Sequence, residues 1–245
     1  MRISLQSQSL RTGSQGLSEW ARDVRETEIE PACSAILVCD VWDRHWSKGA
    51  NLRLAALLPR MEDLLNHTRS RGFHIVHAPS DTLAFYADSP ARKRIAELPP
   101  IPPPADAARE DPPLPINDQD GGSDSGEDAP TAVWTRQHPA LTIDQDRDVV
   151  SDNGPEIWTW MQHTGIRRLF ILGVHTNMCI LNRTFGIKQM VRWNVPVALV
   201  RDLTDSMYNP ACPPYVSHDA GTGLVIDYIE KFWCPTVHSQ YLFGL

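Results

Sequence analysis

The apolar positions of the chain follow two periods, and the periods take turns. Ala35-Ile36-Leu37-Val38-Cys39 is a continuous apolar run ending in a carboxylate, Asp40. Such a run reads as a parallel strand buried on both faces, with an acid at its C-terminal end. From Leu52 to Arg71 the spacing turns helical: Leu54, Leu57, Leu58, Met61, Leu64 and Leu65 share one face, with Pro59 as a point for a kink or division. Gly72 ends that helix, and Phe73–Ala78 predicts a second strand. Further along, the pattern predicts strands at Thr131–Thr135, Arg168–Gly173 and Val195–Val200, with an edge strand at Pro235–Ser239. Helices are predicted at Asp152–Gly165, Met178–Trp193 and Val216–Trp233. Asp152 or Asn153 can cap the first of these, with Pro155 in its first turn. Strands alternating with helices imply an α/β domain with a parallel sheet covered on both faces. Ligands of such sheets collect at the C-terminal ends of the strands.

Two regions break the rhythm. Residues 1–30 are polar and mixed in charge, and are expected to form an outer arm or a short helix from Leu17 to Arg25. Residues 99–115 contain eight prolines, and 117–128 read NDQDGGSDSGED. Neither stretch supports a regular strand or a continuous helix. The segment 87–130 is therefore expected to be an insertion in a single domain spanning 31–245.

Composition narrows the function classes. Hydrophobic residues make up 42% of the 245, enough for a sizeable core. A net charge of -7 argues against nucleic acid as a partner, since phosphates need Lys and Arg. No apolar run approaches the roughly 20 residues that span a bilayer. The first twenty residues lack the apolar centre of a signal peptide. A soluble cytoplasmic protein is expected. Five cysteines, an odd number with no C-x-x-C pair, point to free thiols rather than a structural zinc site.

One cysteine has surroundings unlike the rest. GVHTNMC, Gly173 to Cys179, joins the apolar run Leu169–Leu172 to the start of a predicted helix. A helix N-terminus favours a thiolate, and its free N–H groups can hold an oxyanion. Asp40 arrives at the same sheet edge and can move a proton. With a cation nearby, these groups suit nucleophilic hydrolysis. Thr176 and Asn177 are placed to hold the turn through local hydrogen bonds. Asn182 and Arg183 follow, facing the same turn or a neighbouring subunit.

ILVCD at 36–40, LFILGVHTNMC at 169–179 and VALVRDLTDS at 197–206 resemble the isochorismatase-like cysteine hydrolases. That superfamily includes nicotinamidases and N-carbamoylsarcosine amidases. The resemblance implies a three-layer α/β/α domain with a six-stranded parallel sheet, and a triad of Asp, Lys and Cys. Asp40 and Cys179 match two members. It also implies a cis peptide at Val174–His175 that aims the His175 N–H at an oxyanion, alongside the Cys179 N–H. Homo-oligomers are common in such proteins.

The chain departs from the pattern in three places. The family lysine lies shortly after the third strand, where this chain has Thr135-Arg136-Gln137-His138. Arg136 is the expected substitute, able to supply charge but not to give up a proton. After Asp40 the family often has Asp-x-Gln-x-x-Phe. Here Trp42 takes the amide position and His45 the aromatic one, with Trp46 beside it. These three residues, with Tyr86, are expected to line a flat, partly aromatic substrate pocket. The Asp-x-His of metal-binding nicotinamidases is missing after the second strand, where the chain reads His77-Ala78-Pro79-Ser80-Asp81-Thr82. Asp43, His45 and His77 are the remaining candidates to converge on a metal. No metal and no cofactor are expected. The expected activity is cleavage of a C–N bond in a small amide, carbamoyl or ureido substrate. The alternative is an inactive binding or assembly module that has lost its lysine.

Overall fold

The computed structural model describes residues 1–127 and 131–244. Its centre is an eight-stranded sheet in the order β2-β1-β8-β7-β6-β3-β4-β5. The strands are β1 (Arg2–Thr12), β2 (Ser18–Glu28), β3 (Ser34–Cys39), β4 (His74–Ala78), β5 (Val149–Val150), β6 (Arg168–Val174), β7 (Val197–Asp205) and β8 (Thr236–Val237). β3 to β8 pair in parallel throughout, which gives the expected six-stranded parallel sheet. Every residue of β3 is buried, as its unbroken apolar run requires.

The helices are α1 (Lys48–Ser70), α2 (Pro90–Ala96), α3 (Gly154–Thr164), α4 (Cys179–Asn182), α5 (Ile187–Arg192), α6 (His218–Phe232) and α7 (Ser239–Leu242). They cover both faces, and alternate side chains of β3 show it. Ala35, Leu37 and Cys39 pack with Ile157, Ile180, Met190 and Val225 on one side. Ile36 and Val38 pack with Leu54, Met61, Leu65 and Leu242 on the other. Ser47 caps α1 by accepting the Ala50 N–H, and α1 runs through Pro59 without division.

Several expectations are corrected. Leu17–Arg25 is not helical. Ser18–Glu28 pairs antiparallel with Arg2–Thr12, in a hairpin that adds two strands to the sheet. β1 also pairs with β8, so β8 is an inner strand and not the edge. The polar look of residues 1–30 follows from position: Ile3 and Leu5 turn inward, whereas most of β2 is exposed. Thr131–Thr135 is not a strand, and Val149–Val150 takes the place beside β4. Residues 131–135 instead end in a loop tied by Asp43, whose carboxylate accepts from the Thr135 N–H and hydroxyl at 2.9 and 2.6 Å.

The segment 87–130 contains α2, and its residues 128–130 lie outside the described residues. From 97 to 127 it has no helix or strand, yet its side chains are tied to the domain. Asp111 meets Lys188, Asp118 accepts from Asn177, and Asp124 pairs with Arg53. Its acidic part thereby reaches the sheet edge where GVHTNMC lies.

Candidate functional site

Asp40 ends β3 with a left-handed backbone, φ 48°, a conformation that is uncommon outside glycine and clusters at functional sites. Its side chain is fully buried. Oδ1 accepts the Ser80 N–H at 2.7 Å and Oδ2 accepts from Arg183 Nε at 3.0 Å. The Cys179 thiol lies beside the same carboxylate, near enough for each group to shift the other's pKa. Close approach of two strand ends makes this meeting possible. Gly173 has φ 117°, and a Cβ there would run into the Cys39 carbonyl. Only glycine fits, so β6 can pass beside the end of β3 and deliver the turn to Asp40.

The turn itself is held from outside. Thr176 donates its N–H to the Asp205 carbonyl, and its hydroxyl meets that of Thr204 at 2.7 Å. Asn177 exchanges bonds with both backbone groups of Met207 and donates to Asp118 at 2.7 Å. The expected local bonds of these two residues are thus long-range ties to the end of β7 and to the insertion. Asn182 does face the turn, donating to the Asn177 and Met178 carbonyls. The Val174–His175 peptide is cis. The His175 N–H lies against the Cys179 sulfur. Among the described residues, neither that N–H nor the Cys179 N–H has a backbone acceptor.

The predicted helix from Met178 to Trp193 is two pieces. α4 is a single turn from Cys179 to Asn182, and Arg183 closes it by donating its N–H to the Cys179 carbonyl. A Cβ at Gly186 would crowd the carbonyls of Ile180 and Arg183, and the chain there starts afresh as α5. The break leaves the Arg183 side chain free to turn back over Cys179. Its Nε meets Asp40 and its NH2 meets Asp81 at 3.2 Å.

The cation at Asp40 is therefore Arg183 and not Arg136. Arg136 carries its guanidinium 5.4 Å above the Phe85 ring, and among the described residues it forms no ion pair with Asp40. The loop bearing Arg136 is fixed by Asp43 and by a Trp42–Gln137 backbone bridge. The sequence does carry the signal for Arg183. It stands four residues after Cys179, the spacing that brings side chains together on one helical face.

The electrostatics also differ from expectation. A helix N-terminus was expected to depress the thiol pKa. Burial, then the Asp40 charge, instead push Cys179 well up, against the pull of Arg183 and the His175 N–H. A one-turn helix offers a weak dipole, and desolvation wins. Burial likewise raises Asp40, with Arg183, the thiol and Ser80 opposing it. Arg183 is desolvated too, but Asp40 and Cys179 hold its charge firmly in place. The resting site is thus a thiol beside a carboxylate–guanidinium pair.

Around this centre lies an aromatic wall. Trp42 is buried, donates Nε1–H to the Ser80 carbonyl, and stacks on Trp134 with centroids 4.1 Å apart. His45 lies parallel to Trp134 at 5.9 Å, and Trp46 tilts against His45 at 5.3 Å. Trp134 falls in the stretch expected as a strand, and its place in the wall comes from the loop that stands there instead. Tyr86 is placed differently from the others. It is buried with Ala91 and Val150, and its hydroxyl accepts the Gln137 N–H at 2.8 Å. It anchors the Trp134 loop rather than presenting a free hydroxyl to a ligand.

Asp43, His45 and His77 do not converge. Asp43 is bound to Thr135, while His77 meets Gln137 at 2.7 Å and Asp148 at 3.1 Å. Among the described residues no three His, Cys, Asp or Glu side chains are grouped to hold a metal ion. Among them also, no helix is long and apolar enough to cross a membrane.

Comparison with known proteins is informative at the level of fold. No protein-family model matches the chain, and no curated protein sequence does. Solved structures do match. A cysteine hydrolase from Pseudomonas syringae pv. phaseolicola is similar over 88% of this chain and 93% of its own, with 16% identity and a TM-score of 0.53. An isochorismatase from Pseudomonas putida is similar over 88% and 92%, with 9% identity and a TM-score of 0.51. An isochorismatase family protein from Burkholderia thailandensis covers 88% and 96%, with 15% identity and a TM-score of 0.50. The chain has the isochorismatase-like α/β/α fold, extended here by an N-terminal hairpin.

Proposed function

We propose that this chain is a cysteine hydrolase that cleaves the C–N bond of a small amide, carbamoyl or ureido compound. The observation that carries the reading is the meeting of Asp40, Cys179 and Arg183 in one buried cluster at the C-terminal ends of β3 and β6. Asp40 takes the proton from Sγ as sulfur attacks the carbonyl carbon. The N–H groups of His175 and Cys179 receive the developing oxyanion. The tetrahedral centre collapses, the C–N bond breaks, and Asp40 passes its proton to the departing nitrogen. Water then enters, Asp40 removes its proton, and the thioester is hydrolysed with return of a proton to sulfur. Arg183 remains protonated and stabilises the anions without joining the proton relay. Burial disfavours a resident thiolate, so the adjacent Asp40 is the group that takes the thiol proton.

The binding-module alternative was motivated by the missing lysine, and Arg183 supports the hydrolase by filling that charge. The test is a panel of small amides, carbamates and ureido compounds, read by intact-protein mass spectrometry and product release. The expected result is a covalent acyl adduct on Cys179 that is absent from Cys179→Ala. Turnover retained in Cys179→Ala would overturn the assignment.

A further inference from the structure

Two imidazole rings meet beside the cluster, and the hydrolytic steps above use neither. His45 and His175 lie edge to face with centroids 4.9 Å apart. His175 is only 3% exposed. Yet among the described residues neither of its ring nitrogens has a hydrogen-bond partner, and neither belongs to the sealed, unpartnered buried atoms. Its nitrogens are therefore unpartnered but not wholly sealed by protein. A polar ring that has left bulk water without gaining a protein partner is costly unless a ligand satisfies it.

His45 is assigned more fully. Nδ1 accepts the Ser47 N–H at 3.2 Å, so that nitrogen carries no proton and Nε2 carries one. Among the described residues the Nε2–H has no acceptor. The ring is held in place because Asn51 bonds both backbone groups of His45. The pair thus offers a donor from His45 and, on the neutral ring of His175, an acceptor, beside the flat face of Trp134.

The charges around the pair decide what suits it. Asp205, Arg53 and His218 face His175, and Glu127 faces His45. The cations are already engaged. Arg53 is bound to Asp124 and Asp205. His218 places its nitrogens against the Tyr208 carbonyl and Asp205, both acceptors, so both its nitrogens donate. Burial holds His175 at about 3 and His45 at about 4, so both rings are neutral at pH 7. An anion would meet Asp205 and Glu127 with no free cation. A cation would face the His45 N–H.

We propose that His45 and His175 together bind a neutral planar group of the substrate bearing both an N–H donor and a carbonyl acceptor, a carboxamide or a urea, laid against Trp134. His45 Nε2–H donates to the carbonyl, and His175 accepts the N–H. The proposal rests on the hydrolase reading only for the meaning of the bound group as substrate; binding itself needs no turnover.

The test uses full-length Cys179→Ala protein, labelled with nitrogen-15 at histidine, at pH 7. The probes are N-methylurea and acetate. N-Methylurea is expected to shift the ring signals of His45 and His175 on one saturable curve, while acetate moves neither. His45→Phe and His175→Phe should each weaken N-methylurea binding by about tenfold, the loss of one good hydrogen bond. From about pH 6 to 8 the ring signals of His45 and His175 should remain those of neutral imidazoles, because burial lowers both pKa values below that range. Equal shifts with acetate, or no shift with N-methylurea, overturn the proposal. The two readings fail separately. Saturable shifts without any adduct in wild-type protein remove the hydrolase and keep the pair. An adduct on Cys179 with unmoved histidines does the reverse.

Discussion

Two buried carboxylates, Asp40 and Asp148, each hold an arginine, yet they are built for opposite purposes. Asp148 accepts from Arg69 at 2.7 and 3.1 Å, from His77 at 3.1 Å and from the Asp144 N–H at 2.8 Å. His77 in turn reaches Gln137, whose amide donates to the Leu141 carbonyl. Every partner in that network is spoken for. Burial is the largest single influence on both acids and pushes both upward. At Asp148 the bonds from His77 and Arg69 outweigh it, and the pKa is lowered. At Asp40 they do not, and the pKa is raised. One acid is satisfied and the other is left short. A buried acid whose charge is disfavoured beside a thiol is suited to chemistry, and one whose charge is favoured to holding the fold.

The largest effect should come at the short-changed end. Cys179→Ala is expected to lower kcat by roughly a thousandfold or more on any substrate of the wild type, measured by product release. Its urea midpoint should stay near the wild-type value. Asp148→Ala should do the opposite. It strands Arg69 and His77 in the interior and should cost about 3–5 kcal/mol of stability in urea denaturation. If instead Asp148→Ala is mild in urea but abolishes turnover, the division between the two acids is wrong.

The pH dependence sharpens the same contrast. A lowered folded pKa means that Asp148 contributes stability above the ordinary value of 3.8 and loses it as pH falls towards the folded pKa. A raised folded pKa means that ionised Asp40 opposes folding, and that its penalty is relieved as pH falls through the folded pKa. Asp148→Asn should therefore flatten the acid limb of the stability curve. Asp40→Asn should leave that limb in place and raise stability near neutral pH, while removing turnover. Urea melts at several pH values give both curves.

How far the sequence foretold this contrast depends on how local the signal is. Five of the six parallel strands were legible, β3, β4 and β6 most plainly as apolar runs bounded by turns, whereas the two-residue β5 is too short to leave a pattern. The placement of Asp40 and Cys179 at one sheet edge, and the cis bond at Val174–His175, were legible because each falls within a short local motif. The hairpin was not, because β2 is exposed on an edge and lacks a buried face to give it a period of two. Trp134 was missed because the loop around it is shaped by a carboxylate 92 positions away in sequence. The direction of the thiol shift was missed because burial is a property of the packed fold, whereas the helix start is visible in the chain.

The smallest predicted effect separates Arg183 from Arg136, the arginine that the sequence pointed to. Arg183→Gln removes the charge that faces Asp40 and Cys179. It should lower kcat/KM by about a hundredfold, as for loss of one buried electrostatic stabiliser. It should also move the acidic limb of the kcat/KM profile upward, because Arg183 is the chief influence holding the Asp40 pKa down. Arg183→Lys keeps a charge but loses the fork that joins Asp40 to Asp81, and should fall between. Arg136→Gln loses a contact with the Phe85 face, worth on the order of 1 kcal/mol at a half-buried position. Its kcat/KM should change by less than about threefold, with the pH profile unmoved. A hundredfold loss in Arg136→Gln, paired with a mild Arg183→Gln, would return the catalytic charge to the loop after Trp134. The Asp40–Arg183 pair would then be a second structural network like that of Asp148.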